Sequence, residues 1–422
     1  MGFLFLWRMN ELLYNIGIFF YGTTIRLAAP FNVKARQFLT GRKGLLDRIA
    51  NDFRNNPSEI VWFHCASLGE FEQGRPVMEA FKNDFPKKKI LLTFFSPSGY
   101  ELRKNYPGAD FIYYLPLDSK SNAKRFLEIT QPSMVIFVKY EFWFHYLNET
   151  KKRGIPLFCI SALFNPKQRF FKPNGGFFRD ILKKFDHFFV QNEASKKLLN
   201  DIGIQKVSIA GDTRFDRVLA TASNPKAFPL VKQFTNDRLT VVIGSCWPAD
   251  MAFLFPIINQ SGNIKFIIAP HNIGESHIRQ VEEGLKLPFT RITEANETSV
   301  SNSGVLIINN IGMLSSLYQY GDVAYIGGAF GDGLHNILEA VTFGLPVVFG
   351  NNNLEKFPES TALVEKGGAF SFKTQEEINQ YFNQLTTDTA FRAKASAICL
   401  KFIEENTGAT AKIMQTLSTW KS

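Results

Sequence analysis

"EIVWFHCASLGEFEQGRP" (residues 59–76) joins the apolar run Ile60-Val61-Trp62-Phe63 to a turn in which Glu70 directly follows a glycine. A short uninterrupted apolar run bounded by polar residues reads as a strand buried on both faces, the mark of a parallel sheet. The same sign recurs at helix-length intervals in "KILLTFF" (89–95), "DFIYYLP" (110–116), "SMVIFV" (133–138), "IPLFCIS" (155–161) and "HFFVQN" (187–192). After "GDTRFDRVL" (211–219) and a Pro-, Asn- and Lys-containing connection it restarts with "LTVVIGS" (239–245), "IKFIIAP" (264–270), "GVLIIN" (304–309), "DVAYIGG" (322–328) and "LPVVFG" (345–350). The pattern predicts an α/β protein of two doubly wound, Rossmann-like domains. Their expected bounds are 45–215 and 236–422, with a linker over 216–235, a separate segment over 1–44 and the last helix packing back on the first domain. Ligands of such sheets bind beyond the carboxyl ends of the strands, so the chemistry is expected just after strands, in a cleft between the halves.

Length and composition agree: 422 residues, 45% of them hydrophobic, suffice for two domains of ordinary size. Cys65, Cys159, Cys246 and Cys399 are far apart and sit beside apolar residues, which reads as reduced core thiols. The histidines His64, His145, His187, His271, His277 and His335 form no zinc spacing, so neither a metal nor a cofactor is expected. A formal charge of +10 favours an anionic partner. No nucleic-acid-binding pattern accompanies it, which disfavours nucleic acid.

The apolar stretch Leu12–Ile25, broken by Asn15, Gly17 and Gly22, is too short to span a bilayer and is followed by Arg26, Lys34, Arg36, Arg42 and Lys43. It reads as a helix lying in a membrane interface with cations on anionic headgroups, or as a helix packed on the protein. Met9 is a second candidate start, with residues 1–8 as an upstream extension.

Four stretches carry candidate chemistry. Glu70 is either the capping partner of Ser67 or, if the helix begins near Gly74 or Arg75 as Pro76 suggests, a loop carboxylate placed as a general base. In "FVKYEFWFHYL" (137–147), Glu141 is a second strand-end carboxylate, tuning Glu70 or pairing with Lys139. Arg214 in "GDTRFD" (211–216) can meet a phosphate or form an interdomain ion pair. In "YIGGAFGDGLHNILEAVTFGLPVVFG" (325–350), Gly327 and Gly328 open a glycine-rich loop, and a helix is expected to start near His335 or Asn336, with Glu339 one turn in. A phosphate on that helix start and a ribose on Glu339 is one reading; a capping pair, Asn336 with Glu339, is the other. Finally, Lys167, Arg169, Phe170, Phe171 and Lys172 mix cations with aromatics in a loop suited to headgroups and acyl chains or, as the rival, to stacked bases, unless the aromatics fold onto the core.

Taken in order, these motifs resemble the bacterial 3-deoxy-D-manno-octulosonic acid (Kdo) transferases, glycosyltransferases of the GT-B fold, from about Met9 to the C terminus. "HCASLGE" matches the family's serine-x-x-glycine-glutamate turn and carries the catalytic base onto Glu70; "YEFW" carries over Glu141. "GDTRFD" matches a glycine-x-x-lysine-phenylalanine-aspartate motif, with Arg214 in place of the lysine. "GGAFGDGLHNILEA" carries over Gly328, His335, Asn336 and Glu339. "ELLY" looks like the family's anchor segment. Lys139 replaces the first acid of the commoner glutamate-threonine-glutamate pattern. "GSCWPAD" (244–250) lacks the usual threonine-histidine and paired glutamates, leaving Ser245, and His271 lies near an arginine-histidine pair of the family.

The resemblance implies transfer of Kdo from CMP-Kdo to a lipid A precursor with inversion. Glu70 would be the base and the 327–336 loop the holder of CMP, with work at the cytoplasmic face of the inner membrane. A GT-B transferase or epimerase acting on a UDP-sugar is the alternative enzyme, and a non-catalytic membrane- or nucleic-acid-binding module the alternative class.

Overall fold

The computed structural model describes residues 2–139, 141–331 and 333–420, without the side chains of residues 2–9 and 355. The candidate start Met1, Tyr140 of the "YEFW" motif and Asp332 of the glycine-rich loop therefore lie outside the described residues. The chain divides into two units, Met1–Asp216 with Gly408–Ser422, and Arg217–Thr407.

In the first unit, helices α1 (Gly2–Ala28), α2 (Val33–Arg42) and α3 (Leu45–Phe53) precede β1 (Ile60–Cys65). There follow α4 (Leu68–Asp84), β2 (Lys89–Phe94), α5 (Pro97–Arg103), β3 (Phe111–Tyr114), α6 (Lys120–Thr130), β4 (Met134–Val138), β5 (Leu157–Ala162), β6 (His187–Val190) and β7 (Val207–Ile209). The seven strands are parallel in the order β3-β2-β1-β4-β5-β6-β7. The strand order reverses direction between β1 and β4, so the turns after these two strands flank the crevice where such sheets take ligands.

The second unit repeats the plan with β8 (Thr240–Cys246), β9 (Lys265–Pro270), β10 (Phe289–Arg291), β11 (Val305–Ile307), β12 (Val323–Ile326), β13 (Val347–Gly350) and β14 (Ala369–Phe372). Its order is β10-β11-β9-β8-β12-β13-β14, again all parallel. Strands β7, β10 and β14 were not foreseen: two have three residues each, and β14 buries only its ends, so none carries the long apolar run that marks the others.

The start of α4 corrects an expectation. The helix begins at Leu68, not near Gly74, and Glu70 is its third residue: the Glu70 carboxylate accepts from the Ser67 N–H at 2.8 Å and from the Ser67 hydroxyl. Pro76 therefore lies inside the helix, where it cannot donate a hydrogen bond and disturbs the preceding turn. The Thr213 hydroxyl donates to the Gln73 carbonyl at 2.5 Å, supplying a partner from outside the helix in that turn. The Ser161 hydroxyl is in turn 3.0 Å from the Thr213 oxygen.

The last helix, Ala409–Thr419, lies in the first unit, where Ile413, Met414 and Leu417 join Val61, Phe63 and Phe81 in one core. Asp216 holds its start, accepting from the Gly408 N–H at 2.5 Å and the Thr410 N–H at 2.6 Å. Asp216→Ala leaves both N–H groups without this acceptor and is expected to cost about 1–2 kcal/mol. Urea unfolding of the variant is the check, with Asp216→Asn recovering most of the loss.

Candidate active site

Glu70 and Glu141 follow the two strands at the switch point of the first sheet, β1 and β4. Lys139 turns the chain at the end of β4 with φ +69, a left-handed conformation in which a non-glycine residue is uncommon, and its N–H still donates to the Ile160 carbonyl. Burial, and then the negative charge of Glu70, raise the carboxyl of Glu141 from its ordinary 4.5 to about 7. The two acids thus have separate tasks. Glu70 is held by donors on Ser67, whereas Glu141 carries a proton for part of the time at neutral pH.

The Glu141 loop is tied down by its own tryptophan. Trp143 Nε1–H donates to His64 Nε2 at 3.2 Å, which leaves the imidazole proton on Nδ1, 2.8 Å from Thr93 Oγ1. Trp62 Nε1 also donates to Thr93, at 2.8 Å. His64 is fully buried and its pKa is pushed down to about 3, chiefly by burial, so it stays neutral and can accept from Trp143. His64 and Trp143 stand in motifs that drew attention for their glutamates, yet their own part was missed: a polar atom on a buried strand has no visible partner until the fold supplies one.

In the second unit the residues after β8, β9 and β12 come together. Asp250, buried, accepts from the Trp247 N–H at 2.8 Å, the Gly328 N–H at 3.1 Å and the Tyr325 hydroxyl at 2.8 Å. Gly327 is obligatory: a Cβ there would lie 2.5 Å from the Ser245 carbonyl and 2.6 Å from Cys246 Cα. Ser245 itself sits at φ +54 where β8 slips register against β9. Above this floor three rings stack, Trp247 on His271 at 4.3 Å and His271 on His335 at 4.6 Å between centroids, and Trp247 Nε1–H donates to His335 Nε2 at 3.3 Å. Ser245, His271, Gly327, Gly328 and His335 are therefore neighbours, and Trp247 and Asp250, not singled out in the sequence, bind them together.

The helix expected near His335 or Asn336 starts two residues later and is short, spanning Leu338–Val341; the Asn336 side chain takes the Leu338 N–H at 3.2 Å and holds the preceding residues in a loop. Any phosphate at this place would meet loop N–H groups and imidazoles, not the dipole of a long helix. Glu339, expected to meet a ribose, also has partners within the unit. Its nearest groups are Asn336 Nδ2, at 3.4 Å, and the positive charge of Arg217, while burial raises its carboxyl. Arg217, three residues after Arg214, is the cation of the "GDTRFDR" stretch that serves this unit.

Arg214 stays in the first unit on a local partner: its Nε and Nη2 donate to Asp212 Oδ2 at 2.9 and 2.7 Å. In the 164–178 loop, Phe170 and Phe171 pack against Phe164 at 6.2 and 5.7 Å between centroids, so the aromatics fold onto the core, and Lys167, Arg169 and Lys172 remain exposed. Arg179 fixes this loop by donating to the carbonyls of Phe170, Lys172 and Pro173. The acyl-chain contact expected of Phe170 and Phe171 is thereby reduced to their half-buried edges.

Helix α1 docks on the first unit through Tyr14, whose hydroxyl donates to the buried Asp118 at 2.5 Å, and Asn15, which accepts from His145 Nε2 at 2.6 Å. The opposite face, Leu12, Leu13, Ile16, Phe19, Phe20 and Leu27, is exposed. Among the described residues no helix is long and apolar enough to cross a membrane.

Residues 39–217 match the family model described as 3-Deoxy-D-manno-octulosonic-acid transferase (kdotransferase). The 3-deoxy-D-manno-octulosonic acid transferase of Rickettsia prowazekii is 25% identical over 362 residues, 84% of this chain and 78% of the relative. That of Aquifex aeolicus is 27% identical over 338 residues, 76% of this chain and 85% of the relative. Among solved structures, UDP-GlcNAc 2-epimerase from Neisseria meningitidis superposes with a TM-score of 0.59 at 17% identity, covering 86% of this chain and 100% of that one. At that identity the likeness concerns the fold, which is of the GT-B type.

The raised carboxyl of Glu141 has a sign that can be read in stability. Its folded pKa lies above the unfolded one, so its contribution is fully present below about pH 4.5 and is lost as pH rises through about 7. Glu141→Gln is expected to match the parent near pH 4 and to exceed it in melting temperature at pH 8. Thermal unfolding across this range is the measurement, and equal pH slopes would contradict the assignment.

Proposed function

We propose that the chain, whose residues 39–217 match the Kdo transferase family model, moves Kdo from CMP-Kdo to a lipid A precursor with inversion at the anomeric carbon. The coarse assignment, Kdo transfer in lipopolysaccharide biosynthesis, rests on the homologues. The donor, the acceptor and the roles below are our reading. One observation carries it: two carboxyl groups at the switch point, of which Glu141 is raised to about 7 beside a fixed Glu70.

In this scheme Glu70 takes the proton of the attacking acceptor hydroxyl. The hydroxyl oxygen bonds to the anomeric carbon as the bond from that carbon to the phosphate oxygen breaks, and CMP departs with the bonding electrons. A proton on Glu141 keeps the pair from carrying two full negative charges where an anionic donor must approach. Ser245, His271, His335, Asn336 and the N–H groups of the Gly327–Gly328 loop hold the phosphate and cytidine, where fixed donors stabilise the charge growing on CMP. Arg214 adds a cation if it exchanges Asp212 for the phosphate. Glu339, engaged by Arg217, shapes the loop and offers the ribose its remaining lone pairs. Helix α1 rests on the cytoplasmic face of the inner membrane by its exposed apolar side, and Lys167, Arg169 and Lys172 turn toward headgroups.

Glu70→Gln is the direct test, because glutamine preserves the capping box and so leaves stability matched. With CMP-Kdo generated in situ and a tetraacylated lipid A precursor, mass spectrometry is expected to show product from the parent and a loss of about 10²–10⁴ in rate for the variant. Inhibition by CMP but not UDP is expected. Equal rates would return Glu70 to a purely structural role, and no product from folded parent protein would overturn the Kdo assignment.

A further inference from the structure

A cavity of mixed polar and apolar lining lies beside the apolar face of α1. It has a volume of about 620 Å³ and is walled on one side by Asn15, Phe19 and Arg26 of α1 and on the other by Ser119, Lys120 and Lys124 at the start of α6. Arg26 and Lys120 are exposed and have no ion-pair partner among the described residues; Lys124 reaches Glu128 only at 3.7 Å. No acidic residue stands in the first turn of α6. Asp118 also lines the cavity, but its oxygens are engaged by the Tyr14 hydroxyl and the N–H groups of His145 and Tyr146. The cavity therefore presents cations and hydroxyls with its one carboxylate occupied.

Phe19 belongs both to the cavity wall and to the exposed face, where it is 65% accessible. On that face Thr23 and Thr24 turn their hydroxyls back onto the carbonyls of Phe19 and Phe20, at 2.9 Å each, which removes them from the demand for solvent. An apolar surface with self-satisfied hydroxyls and a cationic cavity on its border match the two ends of one molecule: acyl chains on the helix and a phosphate in the cavity.

We propose that this cavity binds the phosphate headgroup of an anionic membrane lipid and so sets the seating of the protein on the bilayer. The inference rests on the membrane reading of α1 given above. It adds a specific headgroup site, built by Arg26 and Lys120 with Lys124 beside them, to a helix that would otherwise adhere by apolar contact alone. The neighbourhood of Glu141 gives the seating a consequence. Tyr14 and Tyr21 of α1 feel the charge of Glu141, so a lipid held at this helix lies near the proposed acceptor carboxylates.

Sedimentation of the full chain with vesicles tests this. Parent protein is expected to bind vesicles containing 30% phosphatidylglycerol at least about tenfold more tightly than pure phosphatidylcholine vesicles at 0.1 M salt, since each interfacial cation contributes severalfold. Arg26→Glu/Lys120→Glu should lose that preference and keep the phosphatidylcholine binding. Lys286→Glu/Lys394→Glu, which changes net charge equally on the second unit, should keep the preference. Phe19→Glu should weaken binding to both vesicles.

If both double variants lose the preference alike, overall charge is responsible and the site is overturned. If parent protein prefers neither vesicle but binds both, the headgroup site fails while the membrane reading of α1 survives; binding to neither overturns both. Inorganic phosphate at 10 mM, used as competitor, should leave vesicle binding largely intact; complete release would make the cavity a site for free phosphate and overturn the lipid assignment.

Discussion

The described strands all run parallel, and that constraint organises everything else. A parallel pair cannot be closed by a tight turn, so each strand must be followed by a crossover that returns the chain to the same edge. All carboxyl ends of a sheet then open on one side, and the turns after them are the places where side chains can leave the layers without breaking the packing. Glu141 in the first unit and His271 and Gly327 in the second occupy such turns, while Glu70 lies in the first turn of the helix after β1 and Ser245 at the end of β8. Their positions follow from topology before any chemistry is considered.

Within each unit a small set of buried polar bonds converts that placement into geometry. In the first, the chain Trp143–His64–Thr93–Trp62 fixes the loop that carries Glu141 to the body of β1 and β2. It works because every member finds a partner; a neutral histidine in the core is tolerable when both nitrogens are bonded. In the second, Asp250 gathers three donors, one from β12 and two from the turns after β8 and β12. The approach of Gly327 to Ser245 is close enough that no side chain fits, so the glycine-rich loop lies directly on the strand end.

The carboxylate pair shows how burial and charge divide labour. Both acids are of the same residue type after the two switch-point strands, yet Glu70 is pinned by the N–H and hydroxyl of Ser67, whereas Glu141 is desolvated and feels its neighbour. Burial and the neighbouring charge together raise the Glu141 carboxyl. That asymmetry, more than the presence of two glutamates, is what suits the site to acid–base work. The capping box and the proposed base are thus compatible, because the bonds that start α4 also orient the carboxylate.

Much of this was legible in the sequence. The long apolar runs gave eleven of the strands and the two-sheet plan, since a strand buried on both faces needs apolar residues at every position. Glycine pairs and strand-end acids marked the turns, and the motif order pointed to the family. Other features were decided by tertiary contacts. Pro76 suggested a late helix start, but the Ser67–Glu70 pair began α4 at Leu68 and Thr213, far along the chain, supplied a partner for Gln73. Arg214 and Arg217 look alike in sequence; only the fold sends one to Asp212 and the other to Glu339. The phenylalanines after Asn165 could have faced lipid, and packing on Phe164 turned them inward. Periodicity is local, so the sequence by itself determined the strands with long apolar runs and the turns after them; partners such as Thr213 for Gln73 and Trp143 for His64 are distant in the chain, so only the tertiary structure decided that these polar groups meet.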